Sequence, residues 1–202
     1  MNNKILIFGT GGLCKQILND FIIKEDFYLY NDNNEYESFF KNFKIAHKIS
    51  QEFTHFILSI SGSKNRKKIS DLLSSKGLKY FNYINSDISK DISIENNIII
   101  LKNVFIETCV NIKSGTLINV GAQIHHDVQI GEYCEIAPKA CLLGKSVIGN
   151  NTFIGANATI LPKITIGHNS IIGAGSIVTK DVPDNQIWYG NPAKFIKENE
   201  KN

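Results

Sequence analysis

From Ile88 to Val178 a branched aliphatic residue recurs at every sixth position: Ile88, Ile94, Ile100, Ile106, Ile112, Ile118, Ile124, Ile130, Ile136, Leu142, Ile148, Ile154, Ile160, Ile166, Ile172 and Val178. This spacing fits neither the roughly 3.6-residue period of an amphipathic helix nor the alternation of a half-buried strand. A period of six predicts a parallel β-helix of hexapeptides, whose three faces close one triangular coil, with the aliphatic residues at its inward corners. Two positions earlier the chain offers mostly small or β-branched residues: Val110, Thr116, Ala122, Cys134, Ala140, Ser146, Thr152, Ala158, Ser170 and Ser176. These are expected to point inward as well. Glycine directly follows the aliphatic residue at positions 131, 149, 155, 167 and 173, as expected where a tight corner disfavours a Cβ.

The first eighty or so residues have another rhythm. Lys4–Phe8 reads as a buried strand, Gly9–Gly12 as a turn, and Cys14–Ile23 as a helix with apolar Ile17, Leu18, Phe21 and Ile22. Phe27–Tyr30 predicts a second strand ending at Asn31 and Asp32, His55–Ile60 a third ending at Ser61 and Gly62, and Ile69–Lys76 a helix closed by Gly77. This β-α-β-α order is half of a Rossmann fold, whose ligands sit beyond the carboxyl ends of the strands. Gly9–Gly12, Asn31, Asp32, Ser61 and Gly62 would surround that crevice, where a helix N-terminus favours phosphate. Gly9-x-Gly11 is followed by Cys14 where a dinucleotide fingerprint has a third glycine, so a plain strand-to-helix turn is the alternative. The chain therefore divides into an α/β Rossmann-like subdomain over 1–84 and an all-β parallel β-helix over 85–202. In the tail, Asp181–Asn202, Pro183 and Pro192 break the pattern and Trp188 supplies an apolar anchor.

Composition narrows the class. With 202 residues, 43% hydrophobic and 20% charged, the chain is an ordinary globular protein. A net charge of +3 is too mild for a nucleic-acid binder, and the cluster Lys64-Asn65-Arg66-Lys67-Lys68 reads as a solvated helix face. The apolar run Ile5–Phe8 is too brief for a signal segment, and nowhere do about 18 apolar residues run together, so no membrane insertion and a cytoplasmic location are expected. Cys14, Cys109, Cys134 and Cys141 include no CxxC pair and are expected to be reduced structural thiols.

One polar cluster interrupts the lattice: Gln123-Ile124-His125-His126-Asp127. With Ile124 inward, His125 and His126 fall on the outer face or corner of a coil, where core packing does not explain them. A histidine beside a carboxylate has what a general base needs, and a solvated surface pair is the bland alternative. A zinc site using His125, His126 and His168 is disfavoured, because adjacent histidines make awkward ligands; no metal is expected.

Taken in order, Ile7–Gly12, Asn31-Asp32, Ser59–Gly62 with Arg66, Ile124–Gly131, Ala137-Pro138, Gly144, Ile172–Gly175, Asp181–Pro183 and Gly190–Lys194 span both parts of the chain. The chain resembles the PglD/NeuD-type nucleotide-sugar N-acetyltransferases of the left-handed β-helix (hexapeptide repeat) acyltransferase superfamily. The resemblance implies a left-handed helix, a homotrimer with active sites between subunits, and acetyl-CoA as co-substrate. It implies His126 as catalytic base, Asp127 as the acid that raises its basicity, and the Gly144 N–H as oxyanion donor. Glu135, Gly144, Ala156 and Ala174 fall on the CoA-contact positions. Gly9, Thr10, Gly11 and Gly12 are expected near the diphosphate, Asn31 and Asp32 near the base or ribose, with Gly62 beside them and Arg66 as a charge partner. By the same resemblance the tail caps the helix end and borders the CoA site.

The expected reaction is acetyl transfer to the amine of a UDP-, dTDP- or GDP-linked amino sugar, of the 4-amino-4,6-dideoxy type. Leu13 stands where the family often has histidine, and Asn31 replaces the first of a frequent Asp-Asp pair, which leaves the base open. The alternatives are an O-acetyltransferase acting on a sugar or serine hydroxyl and a non-catalytic trimeric nucleotide-binding protein. The N-terminal unit argues against serine, which needs no nucleotide crevice.

Overall fold

The computed structural model describes residues 4–20, 27–30, 40 and 43–200. Contacts divide the chain after Asn82 into two compact units. Tyr83–Ile84 already pairs in parallel with Ile99–Ile100, which assigns this pair to the second unit.

In the N-terminal unit a parallel sheet has the order β3-β2-β1-β4-β5, with β1 at Ile5–Phe8, β2 at Phe27–Tyr30, β3 at Lys44–Ala46, β4 at His55–Leu58 and β5 at Lys79–Tyr80. Helix α1 spans Gly12–Asp20 and α2 spans Ser63–Ser75. The apolar runs of β1 and β4 are buried on both faces, as a central parallel strand requires. Short β3 and β5 carry no apolar run of that kind, and the sequence pattern does not reveal them. Helix α2 starts six residues before the first expected apolar position, since Gly62 at φ 85° turns the chain into it. Within the basic cluster the structure separates Arg66, which is 2% exposed, from its exposed neighbours Lys64, Asn65, Lys67 and Lys68. The part of the expected first helix over 21–23 lies outside the described residues.

The second unit is the parallel β-helix. Two-residue strands recur every six residues from Ser93–Ile94 to Ile177–Val178 and pair in register eighteen residues apart, as in Asn111↔Gln129 and Ile112↔Ile130. Three faces result. The first runs through Asn111–Ile112, Gln129–Ile130 and Val147–Ile148, the second through Leu117–Ile118, Glu135–Ile136 and Phe153–Ile154, and the third through Gln123–Ile124, Cys141–Leu142 and Thr159–Ile160.

The aliphatic ladder lies inside, with Ile100 through Val178 buried, but it occupies the faces rather than the corners. From Ile94 to Val178 every aliphatic of the six-residue ladder is the second residue of a strand. Ile88 and Ile94, which start the lattice, are only partly buried. The small residues two positions earlier are buried, including Cys134, Ser146 and Ala158 at 0%. The corners are made one residue before these, where the left-handed backbone recurs every sixth position, for example Asp127 (φ 62°), Tyr133, Lys139, Lys145 and Asn151. The glycines after the aliphatics therefore serve another purpose. Gly155 has no positive φ, and a Cβ on it would lie 2.5 Å from the Ala174 nitrogen of the next coil.

The tail stays in the lattice longer than its prolines suggest. Gln186–Gly190 adds in parallel to the second face, with Trp188 opposite Ile172 and 6% exposed, and then turns back antiparallel along Ala193–Glu198. All four cysteines are free; Cys14 and Cys134 are buried, Cys141 is half-buried and Cys109 is exposed. Among the described residues no helix is long and apolar enough to cross a membrane.

Candidate active site

The pair singled out in the sequence sits on the edge between the third and first faces. After inward Ile124 the chain turns, and Asp127 takes the left-handed conformation at φ 62° that closes the corner. Aspartate tolerates this conformation better than most residues. The turn brings the Asp127 carboxylate back onto the preceding ring, with Oδ2 2.8 Å from His126 Nδ1. An ionised carboxylate only accepts, so this contact selects the tautomer with the proton on Nδ1, in which Nε2 of the neutral ring keeps its lone pair. The imidazole is half exposed.

One coil above, the ring lies against Gly144. A Cβ on Gly144 would come within 2.5 Å of His126 Nε2 and 2.6 Å of Cε1. Gly144 accepts a hydrogen bond from the Lys163 N–H at 3.0 Å, while its own N–H has no acceptor among the described residues. The same holds for the N–H groups of Ala156 and Ala174. At equivalent places the amides are taken by side chains: Ser114 N–H by Glu95, Glu132 N–H by Asn150, Asn150 N–H by His168 Nδ1, and His168 N–H by Asp184. The amides of Gly144, Ala156 and Ala174 thus stay open at a repeated position where several others are taken, and the Thr108 N–H shares that state.

The expected residues do not all meet. His126, Asp127 and Gly144 share one edge, Ala156 and Ala174 lie on the edge between the second and third faces, and Glu135 stands in a strand of the second face. His168 lies on the edge between the first and second faces, with Nδ1 already accepting from Asn150. No group of three His, Cys, Asp or Glu side chains among the described residues is placed to hold a metal ion.

In the N-terminal unit, Gly9 follows β1 at φ 117°, and a Cβ there would lie 2.8 Å from the Ser59 carbonyl oxygen. The Ser59 hydroxyl donates to the carbonyls of Phe8 and Gly9 at 3.0 and 2.9 Å, fixing the ends of adjacent β1 and β4. Thr10 is half-buried, while Gly11, Gly12 and Gly62 are exposed, and a Cβ on any of these three glycines would meet nothing within 4 Å. Packing does not require glycine at these three positions. Cys14, beneath the turn, is fully buried, and burial pushes its thiol up to about 11. Arg66, the expected charge partner, is buried within α2. Asn31 and Asp32 lie outside the described residues.

Glu107 also belongs to this edge, and no sequence motif marks it. Its carboxylate accepts the His126 N–H at 2.7 Å and lies 3.4 Å from His125 Nδ1. The available signal was its place directly after an inward aliphatic, one coil below the histidines.

Residues 145–180 match the family model described as bacterial transferase hexapeptide (six repeats). Protein CapG of Staphylococcus aureus is 52% identical over 72 residues, 36% of this chain and 42% of that protein. The chain spans between 31% and 42% of the length of such curated relatives. Among solved structures, the acetyltransferase domain of PglB from Neisseria gonorrhoeae FA1090 in complex with acetyl coenzyme A superposes with a TM-score of 0.85 at 22% identity, covering 96% of this chain and 100% of that one. PerB from Caulobacter crescentus in complex with CoA and GDP-perosamine gives 0.82 at 23%, covering 96% and 98%. The fold is that of these proteins, a Rossmann-like N-terminal part followed by a left-handed parallel β-helix.

Proposed function

We propose that the chain is an acetyl-CoA-dependent N-acetyltransferase that acetylates the amine of a UDP-, dTDP- or GDP-linked amino sugar of the 4-amino-4,6-dideoxy type. The observation that carries this reading is the His126–Asp127 pair, with Nδ1 held at 2.8 Å and Nε2 aimed at the space that a Cβ on Gly144 would fill. The bare amides of Gly144, Ala156 and Ala174 support it, and so do the ligands in the PglB and PerB complexes.

The residues divide the chemistry among themselves. An amine attacking a thioester carbonyl forms the C–N bond and must lose a proton. His126 Nε2 takes that proton, and Asp127 stabilises the resulting imidazolium. The Gly144 N–H faces the oxygen on which charge develops. The C–S bond breaks, and His126 returns its proton to the departing sulfur. Such general-base catalysis contributes about 10²–10⁴-fold.

The assembly is a homotrimer with its active sites between copies. This brings the His126 edge of one copy beside the Ala156 and Ala174 edge of the next, so that one extended thioester reaches both. Gly11, Gly12 and the start of α1 receive the diphosphate, as a helix N-terminus favours, and the reaction is cytoplasmic. The test is thiol release from acetyl-CoA against UDP-, dTDP- and GDP-linked 4-amino-4,6-dideoxy sugars, with serine and sialic acid as hydroxyl acceptors. Release with one amino sugar alone supports the reading. Release only with a hydroxyl acceptor, or with none, overturns it.

A further inference from the structure

We propose that Glu107 is a positioning residue for His126, an inference that rests on the acetyltransferase reading. Glu107 directly follows inward Ile106 and reaches up one coil, where Oε2 accepts the His126 N–H at 2.7 Å. The His126 carbonyl is held from the other side by the Lys145 N–H at 3.0 Å. The peptide at His126 is thereby gripped from both neighbouring coils, and the lower grip is a single side chain.

The same carboxylate sorts the two adjacent imidazoles. Oε1 lies 3.4 Å from His125 Nδ1, and the His125 ring meets Phe105 edge-on at 6.0 Å between centroids. Glu107 thus lies beside His125, while Asp127 hydrogen-bonds His126. Without Glu107, the His126 N–H loses its acceptor and His125 is released beside the catalytic ring.

A structural twin separates stapling from positioning. Glu95 also follows an inward aliphatic and spans nineteen residues to accept the Ser114 N–H at 3.0 Å, with Lys113 Nζ at 2.7 Å. It lies on another edge, where Lys113 and Ser114 are partners of its carboxylate. Both glutamates staple a coil to the next, and only Glu107 does so at His126.

The experiment compares Glu107→Ala, Glu107→Gln and Glu95→Ala in the full-length protein by kcat, KM for acetyl-CoA, Tm and the imidazole ¹⁵N signals of His126. Glu107→Ala is expected to lower kcat about 10- to 100-fold, the scale on which misplacement of a reacting group acts. KM should stay unchanged and Tm should fall no more than in Glu95→Ala. Glu107→Gln, whose amide oxygen still accepts the His126 N–H, should recover most of kcat. The His126 ring should change from one Nδ1-protonated form to a mixture in Glu107→Ala alone. Wild-type kcat in Glu107→Ala, or an equal loss in Glu95→Ala, overturns the proposal. If the wild-type protein transfers no acetyl group, the enzymatic reading fails. The ¹⁵N signals then decide by themselves: a shift in Glu107→Ala supports positioning, and unchanged signals overturn it.

Discussion

The His126 ring rests on Gly144 so closely that a methyl group on that glycine would lie 2.5 Å from Nε2. Because Gly144 has no positive φ, the glycine serves the ring rather than the backbone. Gly144→Ala should displace the imidazole and narrow the approach to the Gly144 N–H. Its kcat is expected to fall about 10²-fold, the scale of losing one oxyanion donor, with little change in Tm. Steady-state kinetics and a melting curve check both.

Asp127→Asn tests the tautomer. Asparagine accepts the left-handed corner as readily as aspartate, so the fold should persist. The amide can donate to Nδ1, which would move the ring proton to Nε2 and remove the base. We expect kcat to drop about 10²-fold or more with unchanged affinity for acetyl-CoA, read by kinetics and by titration calorimetry.

The interior and the seam between coils should respond differently. Ile136→Ala deletes a fully buried side chain and should cost about 2–5 kcal/mol. Gly155→Ala places a methyl group 2.5 Å from the Ala174 nitrogen, where backbone rather than a movable side chain must yield. It should cost at least about 1–3 kcal/mol. Denaturant unfolding measures both.

How much of this was legible follows from the range of each interaction. The six-residue ladder is a local repeat, so the parallel β-helix and its inward residues could be read from Ile100 or Cys134 directly. The placement of the ladder on the faces could not, because the corners are set by left-handed residues as different as Asp127, Tyr133 and Lys139. The His126–Asp127 pair is adjacent in sequence and was visible. Glu107 acts across nineteen residues and appears only once the coil spacing is known. In the N-terminal unit, β3 and β5 escaped notice because pairing defines them more than composition does.

Glu95 gives a pH signature for the stapled coils. The Lys113 ammonium and the Ser114 donors hold its carboxyl below the ordinary value of 4.5. A carboxyl lowered by folding adds stability above its unfolded value and loses it as pH falls through the folded one. The stability gap between the wild-type protein and Glu95→Gln should therefore be present above about pH 4.5 and close below it. Urea unfolding across pH 3–7 follows the gap at about unit intervals.

The most direct measurement is the identity and rate of formation of the product in wild-type protein and in His126→Ala, using acetyl-CoA and the nucleotide-linked amino sugar, followed by mass spectrometry and NMR. The expected result is one acetyl group on the amine nitrogen, formed about 10²–10⁴-fold more slowly by His126→Ala while acetyl-CoA still binds. An acetyl group on a hydroxyl oxygen, no acetylated product, or an undiminished rate in His126→Ala would contradict it.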